Sequence, residues 1–311
     1  MKENIRAKKQ NRIRNGSLVW DIIIYTLMIV LSFIFIFPLY EVAVCSISSP
    51  SAVASSNAML FWPVEPHLDA YAVVFANRNI WNGFMNTILY MVIGTVLVLF
   101  ITLISAYTMS IRDFVGKKAL TIFFMIPMYF SGGLIPYFLL ISSLGMMDTI
   151  WVLVIPGAFS AWDMIIMRTQ FNNIPAELRE AATIDGAKDF SILFRVFLPL
   201  STAVIAVLAL YSVVGYWNMW FEPMLYLTKR SRYPIQSILR EILIDDASVA
   251  TAGSKNAMMQ SRVMHDKADS QAVKMLIKYA NIMVTTVPIL CVYPFVQKYF
   301  VKGVMLGSLK G

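Results

Sequence analysis

Side chains that could carry out bond chemistry are few in this sequence, and their spacing serves none of the usual reactions. His67 and His265 stand isolated, and the one adjacent acidic pair, Asp245–Asp246, sits in a polar, poorly periodic stretch. There is no GxxxxGK[ST] phosphate loop and no spaced set of metal ligands. Cys45 and Cys291 lie too far apart in sequence to form a motif. One polar stretch fits either of two roles, an amphipathic loop lying on the membrane surface or a face made for docking another protein. The segment REAATIDGAKDF, residues 179–190, packs Arg179, Glu180, Asp185, Lys188 and Asp189 into a chain that is 58% hydrophobic and 14% charged. Two alanines make a methyl surface that another protein can approach closely, and the carboxylate of Glu180 beside them can pair with a basic group.

Local signals place this segment in a helix, a turn and a helix. Pro175 suits the first turn of a helix, where its missing N–H is not needed, and Glu177 and Glu180 suit the positive end of the dipole. Leu178, Ala181 and Ala182 then share one face at spacings of three and four. Asp185 and Gly186 form the turn. A second helix carries Phe190, Leu193, Phe194 and Phe197 on one stripe, until Leu198 and Pro199 lead into the next apolar stretch.

The elements that must position this loop are membrane helices. The chain has 311 residues with 20 Met, 20 Phe and 7 Trp, and its mean hydropathy of +0.66 is too high for an ordinary soluble domain. A hydrocarbon layer of roughly 30 Å needs about 20 apolar residues per crossing. Six stretches approach that length: Ile22 to Tyr40, Thr87 to Met109, Ala119 to Ile141, Ile150 to Met167, Ser201 to Trp220 and Tyr279 to Phe295. The first exceeds a signal-peptide core and is expected to be retained. The third contains Pro127, Gly132, Gly133 and Pro136. Such breakers in lipid are tolerated where the helix packs on protein or lines a wet cavity, so this span fits either a kinked packing helix or a translocation path.

Basic residues near helix ends set orientation. They fill the N-terminal segment (Lys2, Arg6, Lys8, Lys9, Arg12, Arg14), the loop after the second span (Arg112, Lys117, Lys118), the loop after the fourth (Arg168, Arg179, Lys188, Arg195) and the tail (Lys298, Lys302, Lys310). Both termini and the REAATIDGAKDF loop are therefore expected in the cytoplasm. Residues 221–278 hold nine basic residues yet fall outside in this count, where a long loop with interspersed acids translocates regardless of charge. The net charge of +8 then serves orientation, and nucleic acid is excluded as a partner. The expected organisation is a basic tail over 1–20, a membrane domain over 21–300 containing the loop 168–199 and the external loop 221–278, and a cytoplasmic tail over 301–311. The external segment 41–83 is expected to hold a short helix in FWPVEPHLDAYAVVF, and residues 245–271 read as a polar loop.

The loop resembles the EAA motif of ABC importer permeases, in which Glu-Ala-Ala is followed after three residues by Gly and after nine more by Ile-x-Leu-Pro. Glu180, Ala181, Ala182, Gly186, Leu198 and Pro199 match, with Val196 in the isoleucine position. IPAELREAATIDGA, LPLS, GYWNMWFEPMLYL and FVKGVMLGSLKG resemble the MalG type of carbohydrate-uptake permease. MYFSGGLIPYFLL with IIMRTQF is similar to the LplC and YtcP polysaccharide branch, while residues 221–271 match least.

The resemblance implies an all-α polytopic membrane protein with six transmembrane helices, the type I ABC importer permease fold, in a bacterial inner membrane. It implies no bond chemistry and no cofactor in this chain, with ATP and Mg held by two partner ATPase subunits. Further implied partners are a second permease subunit forming a heterodimer, an extracellular or periplasmic sugar-binding protein, the lipid bilayer and an oligosaccharide substrate. Glu180, Ala181, Ala182, Asp185, Gly186, Leu198 and Pro199 would then couple to an ATPase cleft, with Gly307 and Lys310 of the tail as a second contact. For a sugar, ring stacking on aromatics and hydrogen bonds to hydroxyls point to Tyr129, Tyr137, Trp217, Asn218 and Trp220, which interfacial anchoring explains equally well. The alternative, an ion-gradient-driven secondary transporter, normally needs ionisable groups well inside its spans. The clear one here is Asp163, expected near the inner end of the fourth span beside Arg168 in a structural or interfacial role.

Overall fold

The computed structural model describes residues 2–55, 59–251 and 273–291, and among them every regular element is helical. They divide into two compact units, the described residues up to 74 with 273–284, and residues 75–251 with 285–291.

In the first unit, α1 (Lys2–Ser46) runs unbroken from the basic tail into the first apolar stretch, with Pro38 inside it. The tail over 1–20 is thus helical from Lys2 and continuous with the span. From Trp20 to Phe35 its large apolar side chains are exposed, the pattern of a helix whose solvent is lipid. After α2 (Pro50–Ser55) the chain returns along the end of α1: Ser49 N–H donates to Val64 O at 2.9 Å and His67 N–H to Ile47 O at 3.0 Å. The expected short helix forms as α3 (Asp69–Ala76), with Asp69 in its first turn and Tyr71 hydroxyl 2.7 Å from Ser46 Oγ.

The second unit is built around α4 (Arg78–Ser110), which Asn77 caps by accepting from Asn79 N–H at 3.0 Å. Next come α5 (Lys117–Tyr129), α6 (Leu134–Ser143), α7 (Trp151–Val154) and α8 (Ala161–Asn172). They are followed by α9 (Ala176–Ile184), α10 (Asp189–Ile192), a π turn over Leu193–Phe197, α11 (Leu198–Leu200) and α12 (Thr202–Trp217). Then α13 (Phe221–Tyr226) and α14 (Ile235–Thr251) follow. The last described helix, α15 (Val273–Cys291), belongs to the first unit up to residue 284. The central helix packs against α8, α12 and α14. Near its C-terminal end, Ala106, Tyr107 and Met109 join Met164, Met167, Phe171, Leu193, Phe197 and Leu208 in one core. Near its N-terminal half, Tyr90 and Val98 join Ile141, Val152, Leu153, Tyr216 and Tyr226 in another.

Two of the six expected spans are not single helices. Ala119 to Ile141 forms two arms, α5 and α6, bent by 116° at Phe130–Gly133. Gly133 takes φ 85°, which an L side chain adopts only under strain, and Pro136 falls in the first turn of α6, where its missing N–H has no partner to lose. Ile150 to Met167 is interrupted between α7 and α8. Pro156 cannot donate, and Ser160 starts α8 afresh by accepting from Asp163 N–H at 3.2 Å. Three helices, Val19–Ser46, Arg78–Ser110 and Val273–Cys291, are long and apolar enough to cross a membrane. Counting the bent pairs Lys117–Tyr129 with Leu134–Ser143 and Asp189–Leu200 with Thr202–Trp217 as one span each gives five among the described residues. The sixth stretch begins earlier than expected, at Val273, and residues 292–295 lie outside the described residues.

The polar loop expected over 245–271 also begins as helix, since α14 continues to Thr251; residues 252–272 lie outside the described residues. The segment before α14 is fastened to α4: Asn86 Nδ2 donates to Ser231 O at 2.8 Å, Tyr90 hydroxyl to Arg232 O at 2.7 Å, and Ile235 N–H to Thr87 Oγ1 at 2.9 Å. Asp148, at φ 55°, ties the α6–α7 loop to the same segment. Its N–H donates to Tyr226 O at 2.9 Å, its Oδ1 accepts from Thr228 and Lys229 N–H at 3.3 Å, and its Oδ2 pairs with Lys229 at 3.6 Å and Arg232 at 3.7 Å.

Candidate functional site: a docking loop and an acidic aromatic cavity

The helix, turn and helix read from the sequence are present. Helix α9 closes in a Schellman turn: Ala187 N–H donates to Ala182 O at 2.9 Å and Gly186 N–H to Thr183 O at 3.0 Å, with Gly186 at φ 78°. Asp185 is the last residue before that glycine and is exposed. The expected apolar face is divided. Ala182 packs against the core, whereas Ala181, Leu178 and Glu180 are exposed, and Ile184 is 86% exposed.

The second stripe is divided as well. Leu193 and Phe197 are buried, Phe190 and Phe194 exposed. The π turn explains this, because its wider winding brings i and i+4 together and separates i from i+3. Its cause is Pro199, which lacks an N–H and crowds the carbonyl of Arg195. Leu198 and Pro199 lie within α11, and the chain then bends by 87° into α12.

The loop is keyed to α4 by one polar cluster. Tyr107 hydroxyl donates to Asp189 Oδ1 at 3.1 Å, Arg179 pairs with the same oxygen at 3.6 Å, and the guanidinium carbon of Arg179 lies 5.8 Å from the Tyr107 ring centre. A hollow of about 850 Å³ opens beside it, bordered by Arg112, Asp113, Lys117, Arg179, Glu180 and Ile184. Among the described residues Glu180 has no ion-pair partner. Gly307 and Lys310 lie outside the described residues.

A second cavity, of about 660 Å³, lies where α6, the break between α7 and α8, and the end of α12 converge. It takes in Tyr137, Asn218 and Trp220 of the substrate candidates, but neither Tyr129 nor Trp217. Tyr129 ends α5 and is 73% exposed. Trp217 is buried against Phe84, with ring centres 6.2 Å apart, so it serves packing. Asn218 donates back to Val214 O at 3.0 Å, and the guanidinium of Arg240 lies 3.5 Å from the Trp220 ring centre.

Tyr211, Tyr216, Tyr226 and Glu222, which no local signal singles out, also line this cavity, as does Asp163, expected instead in a structural or interfacial role. Asp163 is not at the inner end of a long helix. It sits in the first turn of α8, and Arg168 is turned away to Thr121 Oγ1 at 3.4 Å. The capping spacing Ser160-x-x-Asp163 was the signal that a helix starts there. Tyr216 fits because α4 offers it Gly94: a Cβ at that position would collide with the tyrosine ring.

Residues 99–254 match the family described as binding-protein-dependent transport system inner membrane component. The chain is 37% identical over 293 residues to the polygalacturonan/rhamnogalacturonan transport system permease protein YtcP of Bacillus subtilis (strain 168), covering 94% of this chain and 99% of YtcP. It is 37% identical over 276 residues to protein LplC of the same organism, covering 89% and 90%. Among solved structures it is similar to a chain of a bacterial ABC transporter involved in the import of the acidic polysaccharide alginate, with TM-score 0.79, 29% identity, and 91% and 96% coverage. The broken helices, the glycine-closed loop and these likenesses over nearly the whole length agree: this chain belongs to the binding-protein-dependent inner membrane components, the permeases of ABC importers.

Proposed function

We propose that the chain is one permease half of an ATP-driven importer for oligosaccharides or polysaccharide fragments. Helices α9 and α10 dock in the cleft of a partner ATPase, which binds ATP and Mg. Glu180 meets a basic residue there, Ala181 permits close approach, and Gly186 sets the angle between the docking helices, with Asp185, Leu198 and Pro199 shaping the ends of the loop. The observation that carries this reading is Glu180 itself: an exposed carboxylate without an ion pair among the described residues, on a helix that the Tyr107, Arg179 and Asp189 cluster ties to α4.

That cluster also supports a mechanism. Movement of the docked loop passes to α4 through Tyr107 and to α12 through the π turn and the bend at Ser201, so the membrane helices shift as semi-rigid bodies around the cavity. The complete assembly contains a second permease, two ATPases and a sugar-binding protein, with six spans in this chain and both termini in the cytoplasm. The tail around Gly307 and Lys310 makes a second ATPase contact.

Glu180→Ala tests the docking. The variant is expected to reach the membrane at normal levels, lose most of the co-purifying ATPase and lose sugar uptake. Unchanged ATPase association, with uptake that follows an imposed proton or sodium gradient, would overturn the reading in favour of a secondary transporter.

A further inference from the structure

We propose that the 660 Å³ cavity selects uncharged saccharide chains and rejects polyuronates, with Asp163 and Glu222 as the charge-discriminating residues. This rests on the reading of the chain as a saccharide permease. It departs from what the names of its relatives would suggest, since polygalacturonan and alginate are polyanions.

Among the described residues the lining carries two carboxylates, Asp163 and Glu222, together with Trp220 and four tyrosines, and no lysine, arginine or histidine. Arg230 pairs with Glu241 at 2.9 Å, Lys229 and Arg232 pair with Asp148, and Arg168 donates to Thr121. Arg240 lies 3.5 Å from the centre of the Trp220 ring, held on that lining side chain without itself lining the cavity. Among the described residues neither Asp163 nor Glu222 has an ion pair. Asp163 is half-buried, and its carboxylate is met by the neutral Ser160 hydroxyl and by no cation among the described residues.

That arrangement favours a neutral sugar. Each carboxylate accepts hydroxyl hydrogen bonds in the strong, charge-assisted form, and the aromatic rings cover the apolar faces of pyranose units. A uronate brings one carboxylate per sugar unit into the same space. At separations of about 6 Å and an effective dielectric near 20, one such repulsion lowers occupancy by at least tenfold.

The test uses the complete transporter in cells and a panel of labelled tetrasaccharides, each acidic oligomer beside its carboxyl-reduced form: tetragalacturonate with galactotetraose, and tetramannuronate with mannotetraose. The reduced member of a transported pair is expected to enter at least tenfold faster. Combining Asp163→Asn with Glu222→Gln should shrink that ratio about tenfold, while melting of the solubilised complex shows that the variant is folded. A ratio near one or reversed in the unmodified transporter overturns the charge rule. A ratio that the double substitution leaves unchanged also overturns it, because selection then resides in the binding protein. Entry of no member of the panel overturns the saccharide reading itself.

Discussion

Replacing Gly186 separates the geometry of the turn from the contacts made through it. Gly186 sits at φ 78°, and apart from its own chain neighbours no atom of the described residues lies within 4 Å of where its Cβ would stand. Steric collision within the chain is therefore absent, and the cost of a side chain is the backbone term alone. For an L residue held in the left-handed region that is about 1–2 kcal/mol, a factor of about 5–30 in the local equilibrium. Asparagine, which tolerates that region, falls below this range, and β-branched valine falls above it. The direct readout is hydrogen exchange at the Ala187 amide, whose bond to Ala182 O is the closing bond of α9. Protection should fall about 5–30 fold in Gly186→Ala, less in Gly186→Asn and more in Gly186→Val, with the amides of α4 unaffected. Unchanged exchange at Ala187 in the valine variant would refute the assignment of the helix end to this glycine. Uptake supplies the second readout. Since no described residue beyond its chain neighbours fills the space around Gly186, a loss of uptake in the asparagine variant larger than its loss of protection reports an ATPase surface at that position.

Two further substitutions probe the scaffold. Gly94→Ala forces the ring of Tyr216 out of its notch, an overpacking expected to cost about 1–3 kcal/mol; the solubilised complex should melt lower. Combining it with Tyr216→Ala should leave no further loss beyond that of the tyrosine change alone, and additive losses would refute the notch. Burial raises the pKa of Asp148, but the N–H groups of Lys229 and Thr228 and the charges of Arg232 and Lys229 outweigh it and hold the carboxyl below its ordinary value. Its contribution to stability is present above the ordinary carboxylate range and is lost as pH falls through the depressed value. Melting between pH 7 and pH 3 should thus fall more steeply in the unmodified protein than in Asp148→Asn, and parallel profiles would refute this role.

The polar loop was legible because its information is local. A proline at a helix start, a glycine at a helix end and a polar run inside an apolar chain act through neighbours a few residues apart; Gly186 ends α9 as expected, and Pro175 stands at its N-cap, one residue before the first turn. Hydropathy likewise located the apolar stretches, since desolvating a backbone in lipid demands helix whatever the tertiary arrangement. Where local signals competed, the sequence was ambiguous. The Pro127–Pro136 stretch marked a breaker without its 116° bend, and Pro156 with Gly157 went unread inside an apolar run. The second break misplaced Asp163, because three residues of capping geometry outweighed the appearance of one long span.

The sequence by itself determined the class of this protein: its helices, its place in a membrane and a polar helix, turn and helix between apolar stretches. Only the tertiary structure decided which side chains share a cavity. Tyr137, Asp163, Tyr211, Asn218 and Glu222 come from separate elements, brought to one space by the return of α6 and the restart of α8. It also decided that Trp217 packs while Trp220 lines, although they stand three residues apart, because α12 ends between them. Periodicity specifies a face of one helix, and a cavity is specified by several helices at once.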